Sequence, residues 1–272
     1  MITKIVRPAI YIVLSVATVV TLLPVWWVLQ ASFAVGSSAF SSSIIPSKIT
    51  FENYLALLHT EFFRWVLNSI IVSVASGIIS VIVTALAAYA FARMQFPGRR
   101  YGIICLFILQ MFPASMYIPA IYTLLTELHL EGTLVGLILV YSGAQAFYIW
   151  LMRAYIATIP KDIDEAALVD GANRWQVFWK IILPLSRPML VTLFIWSLMT
   201  SYNDFMTASV VLQGDPSIYT VAVGLRSLIV NQFATNWTLF AAGAVIASFP
   251  VMIIYLMLQK QLMSGLTRGA VK

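Results

Sequence analysis

Residues 165–184 read EAALVDGANRWQVFWKIILP, a polar, charged stretch set between two apolar runs of membrane length. Its grammar is that of two short helices joined by a tight turn. Pro160 and Asp162 lead into the first; Asp162 is placed to cap it, and Glu165, three residues on, completes a capping box. Carboxylates there meet the positive end of the helix. Gly171 stands where a helix stops in the left-handed conformation that glycine adopts without steric cost, leaving a first helix of about two turns. Asn173 is placed to cap a second helix over 174–183, with Trp175, Phe178, Trp179 and Ile182 at helical spacing on one face. Pro184 removes the next donor and ends it. The result is an angled knob suited to being held by another protein.

What flanks the knob sets the fold class. Of 272 residues, 61% are hydrophobic and only 10% charged, a balance that a soluble globule of this size does not carry. A helix needs about 20 mostly apolar residues to cross a hydrocarbon core of about 30 Å. Six intervals qualify, at about 9–29, 66–92, 101–123, 133–151, 188–208 and 239–258, with the knob in a loop over 157–187. Pro113 and Pro119 are expected to kink the third. The expectation is an all-α polytopic membrane protein with six transmembrane helices in a single domain over 1–272, since no intervening loop is long enough for its own core and no internal repeat is visible.

Basic residues orient it. Lys4, Arg7, Arg93, Arg99, Arg100, Arg153, Lys161, Arg174, Lys180, Arg187, Lys260, Arg268 and Lys272 fall on one side, and Lys48, Arg64 and Arg226 on the other. The rich side is cytoplasmic by the positive-inside rule, which puts both termini and the knob inside. Basic loop ends facing anionic membrane lipid account for the net charge of +6, so no nucleic acid partner is implied. The first span follows Lys4 and Arg7 as a secretory signal would, but its apolar core is too long for one; it is read as uncleaved.

Several chemistries are excluded. Cys105, the single cysteine, lies in the third span, where it reads as packing and can form no intrachain disulfide. His59 and His129 fall in outer loops without a partner at metal-ligand spacing, so no metal site is expected. There is no GxxxxGK[ST] loop for ATP phosphates, and no GxSxG or HExxH pattern for hydrolysis. Neither a catalytic residue nor a bound cofactor is expected, and energy must come from a partner. One ionisable residue, Asp204, lies inside a span, about 24 Å along the fifth helix from Pro188. An aspartate there does not face lipid; lining a path, contacting another subunit and capping a helix end all remain open for it.

Glu165-Ala166-Ala167, three residues, Gly171, nine residues, Ile181, one residue, then Leu183-Pro184 resembles the signature loop of ABC importer permeases. The resemblance implies that Glu165, Ala166, Ala167, Asp170, Gly171, Ile181, Leu183 and Pro184 form a coupling helix seated in a groove of an ATPase subunit. The outer segment Tyr219-Thr220-Val221-Ala222-Val223-Gly224-Leu225, Pro250 and a tail from Gly265 through Gly269 to Lys272 are similar to the carbohydrate-uptake branch, and specifically to its maltose-type second permease. In that branch the tail reaches the ATPase, although a plain flexible end fits Gly265, Gly269 and Lys272 as well. Tyr202, Asn203 and Asp204 resemble the Asn-Asp/Glu-Phe patch of sugar permeases, with Tyr202 where a Trp is common. Family membership implies a type I importer fold, a homologous second permease, two ATPase subunits that use ATP and Mg, and an extracytoplasmic sugar-binding protein. It points to oligosaccharides such as maltodextrin; other oligosaccharides, trehalose and glycerol phosphate derivatives stay open. An ion-coupled secondary transporter is the competing class, but Asp204 alone supplies too little intramembrane charge.

Overall fold

The computed structural model describes residues 2–37, 48–143, 145–230 and 236–268, and among these the chain is helical, without a strand. In order come α1 (Ile2–Ser32), α2 (Glu52–Leu57), α3 (Phe62–Arg93), α4 (Arg99–Gln110), α5 (Ala114–Glu127), α6 (Leu134–Tyr141) and α7 (Ala146–Ala157). The knob supplies α8 (Lys161–Val169), α9 (Arg174–Val177), a π turn over Phe178–Ile182 and α10 (Leu183–Leu185). Beyond it lie α11 (Arg187–Asn203), α12 (Met206–Val211), a 3-10 turn over Pro216–Ile218, α13 (Val221–Val230) and α14 (Trp237–Arg268). Backbone in hydrocarbon has to satisfy its own polar groups, which is why the long apolar intervals fold as helices.

Three helical stretches are long and apolar enough to cross a membrane unbroken: Ile10–Ser32, Phe62–Arg93 and Trp237–Gln259. The other crossings are built from bent pairs, with 95° between Arg99–Gln110 and Ser115–Glu127, 51° between Leu134–Tyr141 and Ala146–Ala157, and 78° between Arg174–Leu185 and Arg187–Asn203. Counting each pair as one span gives up to six.

The bends correct the expectation of continuous helices. The third span does not merely kink: α4 stops at Gln110, and Pro113, at φ −56° and ψ 136°, is the extended residue that opens α5. A residue before proline is disfavoured in the helical region, so the chain leaves the helix ahead of Pro113. Pro119 sits inside α5. In the fourth span, Gln145 at ψ 136° separates α6 from α7. The fifth, expected through 208, stops at Asn203 because Asp204 turns extended, with ψ 123°. Cys105 is exposed on α4 and not packed into the core.

The chain divides into two compact units, residues 1–64 with 223–249, and residues 65–222 with 250–272. In the first, the buried Asn53 holds the chain after α1 by donating Nδ2 to the carbonyls of Ser32 at 3.0 Å and Ala34 at 2.9 Å. Phe33 packs on Phe51 and Tyr54, with ring centroids 5.4 and 5.2 Å apart. A Cβ at Gly243 of α14 would overlap Leu225 of α13, so these helices meet through a glycine. Residues 10–29 of α1 are exposed on every face and mostly apolar, as a helix surrounded by hydrocarbon has to be.

In the second unit, α3 carries a buried stripe of Ser69, Ser73, Ser76, Ser80 and Thr84 at three- and four-residue spacing. Small side chains on one face let helices approach closely; a Cβ on Gly77 would lie 3.1 Å from the Phe194 ring of α11. Trp65 Nε1 donates to the Pro216 carbonyl at 2.8 Å, Asn68 Nδ2 to the carbonyls of Ser217 and Tyr219 at 3.0 Å each, and the Val221 N–H to Ser69 Oγ at 2.7 Å. These bonds pin the 3-10 turn to α3. The core of this unit gathers Ala85, Ala88 and Tyr89 of α3, Met152 and Ile156 of α7, and Phe178 and Ile182 of the π turn. The knob is therefore packed into the bundle and is not a loose loop.

Candidate functional site

The knob starts two residues earlier than its carboxylates imply. Pro160, at φ −55° and ψ 135°, is the N-cap of α8, so Asp162 and Asp164 lie within the first turn and no side-chain cap forms. Asp162 is thus not the cap, and Glu165 is too far along to close a capping box. The acidic first turn still complements the helix dipole. At the other end the Gly171 N–H donates to the Leu168 carbonyl at 3.1 Å and the Ala172 N–H to Ala167 at 3.0 Å. With Gly171 at φ +88°, this is a Schellman stop.

Asn173 caps the second helix as the sequence predicts. Its Oδ1 accepts from the Gln176 N–H at 2.9 Å while Gln176 Oε1 accepts from the Asn173 N–H at 2.8 Å, a reciprocal capping box. We predict that Asn173→Ala lowers stability by about 1 kcal/mol, whereas Asn173→Asp keeps the acceptor. Melting temperatures of the two variants check this, and equal values would contradict it.

Pro184 does not end the helix. The N–H of Leu183 reaches back to the Phe178 carbonyl, the widened π spacing that lets helical backbone run past the proline. Helix resumes over Leu183–Leu185 and turns only at Ser186. The four aromatic and aliphatic residues also divide: Phe178 and Ile182 are buried, whereas Trp175 is 60% and Trp179 38% exposed. The five-residue π turn rotates the face out of simple helical register.

The signature residues divide in the same way. Glu165, Ala166, Asp170, Gly171 and Pro184 are exposed; Ala167, Ile181 and Leu183 are half-buried, and Ala167 and Leu183 pack against the core of the bundle. Beside them Val169 is 87% exposed, an apolar side chain held outward by the Schellman turn. The outward face is thus acidic at Glu165 and Asp170 and apolar at Val169 and Trp175.

What sets the angle of this face was not visible in the sequence. Arg93, the last residue of α3, donates Nε to Asp164 Oδ2 at 2.6 Å and Nη2 to the Ile159 carbonyl at 2.7 Å, with side chains only 5% and 12% exposed. Tyr89, one turn before, packs its ring at a tilt against Phe178 with centroids 5.1 Å apart and donates to the Arg174 carbonyl at 3.4 Å. Arg99 closes the end of α3 by donating to the carbonyls of Phe91 at 3.0 Å and Ala92 at 3.1 Å. The end of one transmembrane helix thereby grips both halves of the knob.

Tyr202, Asn203 and Asp204 sit in three different surroundings. Tyr202 is buried, Asn203 is exposed and donates Nδ2 to the Met199 carbonyl at 2.8 Å, and Asp204 caps α12. Its Oδ1 accepts from the N–H groups of Thr207 at 2.8 Å and Ala208 at 3.3 Å, and Oδ2 from Thr207 Oγ1 at 3.2 Å. Asp204 also borders a cavity of about 350 Å³ within the second unit, shared with Gln110, Tyr117, Tyr141, Gln145 and Thr200. The amides and hydroxyls were missed, although Ser197, Ser201 and Asp204 recur at helical spacing along an apolar run. Gly265 lies within α14; Gly269 and Lys272 lie outside the described residues.

Among the described residues the chain is helical, with up to six apolar crossings and an outward-facing elbow between two of them, the build of a polytopic membrane subunit. The chain belongs to the family described as binding-protein-dependent transport system inner membrane component, which matches residues 80–268. It is 36% identical over 267 residues to the galactooligosaccharides transport system permease protein GanQ of Bacillus subtilis, covering 96% of this chain and 94% of that protein. It is 34% identical over 269 residues to the maltose/maltodextrin transport system permease protein MalG of Salmonella typhimurium, covering 92% and 90%. Among solved structures it superposes with a TM-score of 0.82 at 26% identity on a chain of a bacterial ABC transporter involved in the import of the acidic polysaccharide alginate, covering 95% of this chain and 97% of that one.

Proposed function

We propose that this chain is the transmembrane subunit of an ATP-driven importer for oligosaccharides, with maltodextrin or a related glycan as its cargo. The observation that carries the coupling half is the knob itself: its signature residues split between an outward face and a root locked into the bundle. Such an elbow transmits a push as a rigid body. The cargo half rests on relatives named for galactooligosaccharides and maltodextrin, and on a cavity lined, among the described residues, by no Lys, Arg or His, which suits a neutral glycan over a phosphate.

In this scheme the chain spans 1–272 as one permease domain, with both termini and the knob in the cytoplasm, pairs with a homologous permease, and sits on two ATPase subunits. A sugar-binding protein delivers cargo from outside. ATP, with Mg, is bound and hydrolysed by the ATPases; their closure moves the knobs and opens the cavity outward, and hydrolysis resets it. Glu165 accepts hydrogen bonds from donors in the ATPase groove, Ala166 permits close approach, and Val169 with Trp175 supplies buried apolar area. The tail around Gly265, Gly269 and Lys272 adds a second ATPase contact.

Copurification tests the docking face. With Cys105→Ser as background, Val169→Cys is expected to form a cross-link to an ATPase subunit, and Val169→Asp to release the ATPases while the two permeases stay together. An ATPase that remains bound to the Val169→Asp complex and leaves Val169→Cys unlinked contradicts the assignment.

A further inference from the structure

Three helix breaks in the second unit, after α4, after α6 and after α11, face the same cavity; Ser186, at the bend before α11, does not line it. The break after α4 leaves Gln110 on its wall, the break between α6 and α7 leaves Tyr141 and Gln145, and the break after α11 leaves Asp204. Each helix end frees backbone carbonyls and amides, and broken backbone at membrane depth persists only where it is buried in protein or lines a wet cavity. Interrupted helices meeting at one point are the usual construction of a binding site within a membrane.

The walls are already held in position. Gln110 Oε1 accepts the N–H of Ala146, the opening residue of α7, at 2.9 Å, which ties the first break to the second and leaves the amide NH2 directed by that bond. Thr207 fixes both oxygens of Asp204, and the buried Tyr141 hydroxyl, which has no hydrogen-bond partner among the described residues, lines the same cavity. Tyr117 is 48% exposed, so part of its ring is free to be covered. The inventory is one carboxylate acceptor, two amides that both donate and accept, hydroxyls and a half-open aromatic face. Among the described residues no Lys, Arg or His lines the cavity, so an anion would meet no neutralising charge there. Vicinal hydroxyls suit the carboxylate and amides, and the C–H face of a pyranose suits the ring. At about 350 Å³ the cavity falls at the small end of ligand sites, the scale of one glycosyl unit and not of a whole chain.

We propose that the cavity where the three helix breaks converge is a subsite for one neutral glycosyl unit, with Asp204 and the Gln110 and Gln145 amides binding hydroxyls and Tyr117 covering a sugar face. This rests on the reading of the chain as a glycan importer and adds to it where within this subunit the glycan is handled.

The test uses the complete complex in proteoliposomes, with maltodextrin or galactooligosaccharide and the cognate binding protein. Wild-type uptake comes first: a complex that takes up neither glycan removes the importer reading and this proposal with it. Given uptake, Tyr117→Leu and Asp204→Asn, the second of which keeps a capping oxygen, are each expected to raise the KM for glycan by about tenfold, as loss of a single good contact does. ATP hydrolysis stimulated by the binding protein and assembly of the two permeases should stay at wild-type levels. In a Cys105→Ser background, thiol labelling of Thr200→Cys should slow about tenfold in the presence of glycan. Wild-type KM in both variants, or labelling at the same rate with and without glycan, overturns the proposal. Loss of permease pairing in Tyr117→Leu and Asp204→Asn also overturns it, because the cavity is then an intersubunit contact.

Discussion

Arg93→Ala is expected to disconnect ATP hydrolysis from uptake. The guanidinium is 95% withdrawn from solvent, its side chain being only 5% exposed, and it makes two bonds at once: to Asp164 beside the knob's outward face and to the Ile159 carbonyl just before α8. Truncation leaves the Asp164 carboxylate buried without its partner, and its Oδ1 already has no hydrogen bond. Breaking such a pair costs about 3–5 kcal/mol. The knob then relieves the buried charge by swinging outward, and its angle to α3 is no longer fixed. Glycan transported per ATP should fall by about tenfold or more, with hydrolysis persisting. Arg93→Lys should fail nearly as badly, because an ammonium on a flexible stem does not reproduce the two-pronged grip. Replacing the pair together, as Arg93→Met with Asp164→Leu, should recover the melting temperature but not the coupling ratio, since an apolar contact restores burial without direction. Recovery of both in the double variant would show that the pair serves stability alone.

Gly171→Pro should abolish coupling while leaving insertion into the membrane intact. Proline holds φ near −65°, whereas Gly171 sits at φ +88° and donates its N–H to Leu168. The substitution also disfavours the helical conformation of Asp170 before it, at φ −71° and ψ 3°. The Schellman stop is lost, α8 no longer turns into α9, and the outward face is dismantled. Gly171→Ala is the informative control. Nothing lies within 4 Å of a Cβ at that position, so its cost is conformational only, about 1–2 kcal/mol. Uptake in the alanine variant should remain within a fewfold of wild type, measured beside proline in the same vesicles. Equal uptake by both would mean that the turn carries no force.

These two predictions differ in how far the sequence reached them. Gly171 and Asn173 were legible because helix stops and caps are local: a Cβ-free residue after an apolar run, then a short amide before the next. Crossing helices were legible for a similar reason, since length and hydropathy are properties of a single segment. The interruptions were legible only in the third span, where Pro113 signals a bend; at Gly143 the chain is apolar or small, so a hydropathy window passes over the break. Pro184 was misread because its missing donor was expected to stop the helix, whereas widening the preceding turn to π spacing absorbs it. Asp162 was misread as a cap because Pro160, two residues ahead of it, is the N-cap of α8. The Arg93–Asp164 pair joins residues 71 apart in the chain, and the cavity draws on three separate spans. Pairings of that kind depend on how helices pack, which one sequence does not state.

Uptake by purified components tests the force-transmitting role of the elbow most directly. The permease pair is reconstituted with and without its ATPase subunits, ATP is enclosed on the ATPase side, and ion gradients are collapsed. Glycan accumulation that needs both the ATPases and ATP, and disappears with Gly171→Pro, is the predicted result. Accumulation by the permeases alone, driven by a restored ion gradient, would contradict it.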